Sequence, residues 1–136
     1  MSSILSIAVS GITAASERLQ VSANNVANAN SDGPLPSVDP ATAAQYPQAY
    51  VPQTVNQVET AGGGTKAVVS NAQPGTVAAY DPTAPYADQN GMVAEPNVNY
   101  TTQAMQQLTA RYDMVFNVYV ARVYSRLMKS LVDIQT

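Results

Sequence analysis

The 136-residue sequence predicts a mainly α-helical fold, in which two long terminal helices pair as an antiparallel coiled coil and flank an irregular middle insert with short β-hairpins. All nine prolines and six of the seven glycines lie between Gly33 and Pro96, so long helices are disfavoured there and permitted at both ends. Both ends carry apolar residues at helical spacing. The chain therefore divides into residues 1–30, 31–96 and 97–136.

The N-terminal segment is predicted to form one helix from near Ser3 to near Asn28, about 40 Å long. Apolar and small residues recur in it at alternating spacings of three and four, which is the heptad pattern of a coiled-coil seam. Large and small seam residues alternate, so a partner helix can approach closely at the small ones. We expect the large ones to form an interface: Leu5, Ile12, Leu19 and Val26. A surface helix that covers the protein's own core is the alternative.

The C-terminal helix is predicted to begin near Asn99 or Thr101, after the helix-stopping Pro96. Its large apolar residues follow one stripe with an 11-residue repeat, which favours a straight or slightly right-handed helix of about 50 Å. We expect this stripe to form an interface through Tyr112, Phe116, Tyr119, Val123 and Leu127. Two helices of this length expose more surface than they can bury in each other.

Basic residues form a second stripe beside the aromatic one, and Arg122 and Arg126 belong to it. A solvated face whose cations complement the helix C-terminus is one interpretation. Contact with acidic surface on neighbouring copies is the other. The net charge supports it, because the whole chain carries −3 although this last segment holds four basic and only two acidic residues.

The middle segment carries the residues of tight turns. The glycine triplet Gly62 to Gly64 predicts a short hairpin, and Pro74-Gly75 and Asn90-Gly91 predict two more turns. Residues 37–53 contain few large apolar side chains, so we expect extended or lightly ordered chain there. Four aspartates of this segment match no metal-loop spacing, and we interpret them as turn formers: Asp32, Asp39, Asp81 and Asp88.

The composition disfavours several classes of protein. Cysteine and histidine are both absent, which removes thiolate nucleophiles, imidazole bases and the usual zinc ligands, so we expect no enzyme activity, metal or cofactor. We expect no small-molecule substrate, and without a dense basic patch we expect no nucleic-acid partner. The first apolar run lacks a preceding Lys or Arg, so it is interpreted as mature structure and not as a signal peptide.

Two stretches carry a family resemblance. Residues 10–31, SGITAASERLQVSANNVANANS, resemble the N-terminal signature of bacterial flagellar rod and hook proteins, with a serine-glycine pair, a leucine-bearing helix and then Asn-Ile/Val-Ala-Asn. Residues 80–99, YDPTAPYADQNGMVAEPNVN, resemble the stretch that precedes the C-terminal helix in the proximal rod proteins of that family. The two stretches together cover about a third of the chain, at both ends of the insert.

This resemblance implies a structural subunit of the flagellar basal-body rod. Such a subunit would be exported by the flagellar type III apparatus without signal cleavage and would lie in the periplasmic rod. It would polymerise helically, transmit torque and enclose the export channel. Its partners would be other copies of itself, other rod proteins, the export apparatus and the basal-body rings.

The asparagine-rich stretch SANNVANANS, residues 22–31, gains two interpretations. Asparagine amides cap helix ends, which accounts for some of the four. In a polymer an amide can also bond a neighbouring copy without the desolvation cost of a charge, and we expect Asn25 and Asn28 to do so. The alternative function is a secreted or peripheral protein whose amphipathic N-terminal helix lies on a membrane, although the polar face lacks the expected cations.

Overall fold

The computed structural model describes residues 4–134, with a long helix at each end and two small antiparallel sheets between them. The elements in chain order are α1 (Ile4–Ala27), α2 (Pro40–Ala43), β1 (Gln53–Glu59), β2 (Thr65–Asn71), β3 (Thr76–Tyr80), β4 (Met92–Pro96) and α3 (Tyr100–Ile134). The mainly helical fold with hairpins in the middle is therefore confirmed. Ser3, the predicted start of the first helix, lies outside the described residues.

The two long helices pack side by side and run in opposite directions. Gly11 of α1 lies against Asn117 of α3, whereas Ser22, further along α1, bonds the Gln103 carbonyl near the start of α3 at 2.9 Å. Because α3 has 35 residues and α1 has 24, the end of α3 beyond about residue 124 has no counterpart in the described part of α1.

Small residues fill the contact between α1 and α3. Ala8, Ala15 and Ser22, the small positions of the predicted seam, are each 2% exposed or less. The large positions are not buried there: Leu5 and Val26 are 41% and 36% exposed, and Ile12 and Leu19 are half-buried. The expectation that large and small seam residues would share one contact is therefore wrong. The helices approach too closely at the alanines for bulky side chains to lie between them.

The start of α3 is capped as predicted. The side-chain Oδ1 of Asn99 accepts a hydrogen bond from the Thr102 N–H at 2.9 Å, which satisfies one of the orphan donors of the first turn. At the other junction, the Asn24 carbonyl near the end of α1 accepts from both the backbone N–H and the side-chain amide of Asn28, at 3.0 and 2.9 Å. Both ends of the helix pair that meet the insert are thus fixed by asparagine.

The hairpin predicted at the glycine triplet is present and lies along α1. β1 and β2 pair from Gln53↔Asn71 to Glu59↔Thr65, and the three glycines of the turn have φ values of 97° to 98°. Such angles strain any residue with a Cβ. The hairpin tip is attached to α1, because the Thr65 N–H donates to Ser10 Oγ at 3.1 Å. A Cβ on Gly64 would lie 2.6 Å from that oxygen, so glycine also permits the close approach.

The second hairpin lies away from the helices. β3 and β4 pair from Thr76↔Pro96 to Tyr80↔Met92, and the Asn90-Gly91 turn precedes β4 with Gly91 at φ 74°. Neither strand packs against α1 or α3. The loop after α1 is joined to this hairpin instead, by reciprocal backbone hydrogen bonds between Gly33 and Ala94 at 3.0 and 2.9 Å.

One short helix departs from the expectation of extended chain over residues 37–53. Pro40–Ala43 forms a single helical turn, because Asp39 accepts hydrogen bonds from the N–H groups of Ala41 and Thr42 and Pro40 occupies the first turn. Proline is well suited to that position, since its missing N–H would have no partner there.

The hydrophobic core of the described residues is built mainly from small side chains. The buried apolar residues are Ala8, Ala14, Ala15, Val21, Ala29, Val93, Ala94 and Ala110. No leucine, isoleucine or aromatic residue is among them. Within residues 4–134, no helix combines the length and apolar character that crossing a membrane requires.

Candidate assembly surfaces and the Asn25 junction

Asn25 holds three parts of the chain together. It is 1% exposed, and its carboxamide pairs with the backbone of Gln53 at the start of β1, donating to the carbonyl at 2.8 Å and accepting from the N–H at 2.9 Å. Its Oδ1 also accepts from the Tyr50 hydroxyl at 3.0 Å, and its Nδ2 donates to Gln103 Oε1 of α3 at 3.3 Å. The amide thus substitutes for one residue of a β-ladder while joining α1 to α3. We call these four residues the Asn25 junction.

The structure therefore corrects the expectation that Asn25 bonds a neighbouring copy. Its amide is buried, and its donors and acceptor are used within the chain. Burial also raises the pKa of Tyr50, so the hydroxyl remains a donor to Asn25 over the physiological range. Asn28 is only half-buried and caps its own helix, so its contact with another copy stays a proposal.

The apolar stripe predicted on α3 lies on the side away from α1. Tyr112, Phe116, Tyr119 and Leu127 are 57%, 64%, 66% and 59% exposed, and Val123 between them is half-buried. The Tyr112 and Phe116 rings stack, with centroids 6.5 Å apart and planes inclined by 28°. We call these five residues the aromatic face. It is a continuous apolar stripe that the described chain leaves mostly uncovered.

An apolar groove with a basic rim lies beside the aromatic face. Ile12 of α1 and Val118 and Ala121 of α3 line a shallow, solvent-open depression of about 400 Å³, and Arg122 and Arg126 border it. Both arginines are exposed, and neither forms an ion pair with a carboxylate of the described chain. Arg18, the basic residue of α1, does form one, at 2.8 Å from Asp113 of α3. The groove therefore presents two available cations next to apolar surface.

Three of the four loop aspartates form turns, as predicted. Asp39 caps α2, Asp81 accepts from the N–H and hydroxyl of Thr83 at 3.0 and 2.6 Å, and Asp88 accepts from the Asn90 and Met92 N–H groups at 2.8 and 2.9 Å. These hydrogen bonds hold the pKa of Asp81 below its ordinary value, mainly through Thr83.

The pKa of Asp88 is likewise lowered, mainly by the Met92 N–H. Asp32 differs from the others, because its Oδ1 is buried without a hydrogen-bond partner among the described residues.

Sequence reasoning missed the partners of Asn25. Tyr50, Gln53 and Gln103 lie 25, 28 and 78 residues from it along the chain, and none belongs to the apolar stripes that the sequence predicts. Ser10 belongs to the serine-glycine pair of the family signature, but the signature does not predict the hydrogen bond between its hydroxyl and Thr65 of the hairpin. These contacts depend on which loop crosses α1, which no local signal specifies.

The distribution of side chains between core and surface indicates the class of protein. Most of its large apolar side chains are exposed, its core is mostly alanine, and its buried polar cluster at Asn25 joins its own segments, a combination typical of a structural protein. A family model described as "Flagella basal body rod protein" matches residues 5–34.

Comparison with curated proteins gives the particular family. The chain is 31% identical to flagellar basal-body rod protein FlgC of Agrobacterium fabrum, over 98% of this chain and 94% of that protein. It is 33% identical to FlgC of Salmonella typhimurium and 35% identical to FlgC of Escherichia coli O6:H1, in both cases over 94% of this chain and 93% of the relative. The chain therefore belongs to the FlgC-type flagellar basal-body rod protein family. It is a structural rod subunit of the flagellar basal body and not an enzyme.

Proposed function

We propose that the chain forms part of the wall of the proximal rod, in which the aromatic face and the large residues of α1 pack against neighbouring subunits. Leu5, Ile12, Leu19 and Val26 on α1 would contact other copies or other rod proteins. Asn28 and the two arginines would supply polar contacts at the edges of these interfaces. The rod so formed encloses the export channel and transmits torque through packed helices.

One observation carries this proposal, namely the inversion of side-chain size between core and surface. The buried apolar residues are mainly alanines, whereas Phe116 and Tyr119 are each more than 60% exposed. Fully burying one side chain of this size stabilises a structure by about 1.5–3 kcal/mol. A continuous stripe in which four of five large residues are more than half exposed supports a protein-protein interface, since single exposed hydrophobic residues are common but contiguous patches are not.

The pairing of α1 and α3 as an antiparallel coiled coil is part of the proposal. On α3 the residues that are buried or half-buried include Gln103, Gln107, Ala110, Met114, Asn117, Ala121 and Tyr124, which are spaced alternately by four and three. The small seam positions of α1 oppose them. This spacing supports a left-handed seam of close approach within the chain, while the aromatic face uses a different side of the same helix.

Export and location follow the same proposal. The subunit would pass through the flagellar export apparatus with its N-terminus retained, reach the periplasmic rod and meet the basal-body ring components there. The membrane-binding alternative is not favoured, because Arg18 is the one basic residue of α1 and it is paired with Asp113 of α3, whereas a helix that lies on a membrane carries several Lys or Arg on its polar face.

The test compares two substitutions at one exposed position of the aromatic face. In cells that lack the native subunit, Phe116→Asp should abolish the chain's incorporation into purified basal bodies, because a carboxylate cannot be buried unpaired between helices. Phe116→Leu keeps the position apolar and should incorporate normally. The side chain is 64% exposed in the monomer, so neither change should alter its helix content measured by circular dichroism. Normal incorporation of the Asp variant would refute the proposal.

A further inference from the structure

Tyr80 is an exposed aromatic side chain at the end of β3 in the second hairpin. It is 72% exposed, more than any other large hydrophobic residue of the described chain. One edge of its ring lies beside Gly91, where an added Cβ would be 3.0 Å from the Cε2 atom, so glycine makes room for the ring. A tyrosine side chain has only two torsions, so its ring can enter a partner surface at low entropic cost.

A carboxylate accompanies this ring. Asp81 follows Tyr80 directly, and the two hydrogen bonds from Thr83 hold its side chain in one orientation. Residues 72–98, which contain both, include three carboxylates and no lysine or arginine. The hairpin thus presents a tyrosine ring within a segment whose charged side chains are all acidic.

The groove between α1 and α3 has the complementary chemistry. Its floor of Ile12, Val118 and Ala121 is apolar and open to solvent, so that a ring can reach it, and its rim carries Arg122 and Arg126. The ring would be buried against the floor, and the carboxylate would meet the arginines, which is the geometry of a charge-assisted contact.

The two surfaces cannot meet within one molecule. Neither β3 nor β4 packs against α1 or α3, and the groove lies around residues 118–126, about 30 Å along α3 from the end that the hairpin precedes. A contact between different surfaces of two identical chains is heterologous, and it repeats as a ring or as an open helical array according to the rotation between copies.

We propose that Tyr80 and Asp81 of one copy dock into the Ile12–Ala121 groove of a second copy, with Asp81 paired to Arg122 and Arg126. The inference rests on the proposed rod function and names one of its contacts between subunits. The occupant is a second copy, because the acidic hairpin and the basic groove are both provided by this chain. The contact orients successive copies in the same direction.

The experiment measures self-association of the purified chain by sedimentation velocity at micromolar concentration and low salt. Tyr80→Ala should weaken association by about 30-fold, as expected for a central aromatic anchor, while Tyr80→Phe keeps the ring and should associate like the native chain. Asp81→Arg and Arg126→Asp should each weaken association. A mixture of these two variants should recover it, because each supplies the charge that the other's partner surface needs.

Each result has a distinct meaning. If the native chain and all variants associate equally, the groove contact is wrong while the rod function stands. If the native chain neither associates nor enters basal bodies, both are wrong. If Tyr80→Ala blocks basal-body incorporation but leaves self-association unchanged, the groove receives a different protein, and the assignment to a second copy is overturned. Circular dichroism of each variant shows whether the fold is retained, and Asp81→Asn, which keeps the turn's acceptor, tests the charge alone if Asp81→Arg unfolds.

Discussion

Replacing Asn25 with alanine tests whether the Asn25 junction stabilises the monomer. The substitution removes four hydrogen bonds of 2.8–3.3 Å from a site that is 1% exposed. At about 1 kcal/mol net for each bond, the loss would be about 4 kcal/mol if no water entered. A cleft of about 250 Å³, lined by Gln53 and Gln103, adjoins the site, so water can restore part of this. We therefore expect a loss of about 2–4 kcal/mol.

The assay is urea or thermal unfolding of the purified chain followed by far-ultraviolet circular dichroism. For a chain of this length, the expected loss lowers the melting temperature by roughly 10 °C. Asn28→Ala is the matched control, because it removes one bond from a half-buried helix end and should cost only about 0.5–1 kcal/mol. If Asn25→Ala melts like the native chain but fails to enter basal bodies, Asn25 acts between copies, and the junction as described here is wrong.

Three further experiments probe the helix pair and the loops. Gly11→Ala places a Cβ 2.5 Å from Asn117 Oδ1. Adding Asn117→Ala removes this clash, so the double variant should have a higher unfolding free energy than Gly11→Ala alone. A lower value would mean that the helices do not meet there. A double-mutant cycle on Arg18 and Asp113, which are 16% and 40% exposed, should give a coupling of about 0.5–1 kcal/mol that shrinks at high salt, whereas zero coupling at low salt would contradict the observed pair. The pKa of Asp88 is lowered in the folded chain, so its stabilising effect is complete above its ordinary pKa of 3.8 and is lost as the pH falls through the lower folded-state value. Asp88→Asn should therefore reduce the dependence of the unfolding free energy on pH in the acid range. An unchanged dependence would show that the turn hydrogen bonds of Asp88 do not persist in solution.

Local features of the fold could be predicted from the sequence because their causes are local. The Asn99 cap needs only an asparagine before an uninterrupted helical segment, and the first hairpin needs only a glycine triplet between β-forming residues. The aromatic face followed from spacing alone, since residues separated by three or four positions share one side of any helix.

The faces that meet inside the chain were harder to predict. Heptad spacing on α1 identified Ala8, Ala15 and Ser22 correctly, but it joined them to Leu5 and Val26, which remain exposed. Periodicity gives the spacing of a seam, and the choice between adjacent residues depends on how closely the partner helix approaches. In this chain α3 packs so closely against α1 that only glycine, alanine and serine fit at the contact, and the larger residues lie outside it.

Polar contacts between distant segments could not be predicted at all. The family signature includes Asn25 and not its neighbour Asn24, but it does not predict that Asn25 meets the backbone of Gln53. This contact arises from the path of the chain between α1 and β1, where Tyr50 and Ser31 are joined by a backbone hydrogen bond of 2.9 Å. Predicting such a contact requires knowledge of the path of the chain in three dimensions.

The most direct test of the central claim, that the aromatic face is reserved for neighbouring subunits, is the chemical accessibility of Tyr119. The chain contains no cysteine, so Tyr119→Cys introduces a single reactive thiol at a position that is 66% exposed. Maleimide labelling should be fast in the dilute monomer and strongly suppressed in purified basal bodies, while Ser37→Cys in an exposed loop should remain reactive in both. Equal labelling of Tyr119→Cys in the monomer and in the assembled rod would contradict the account.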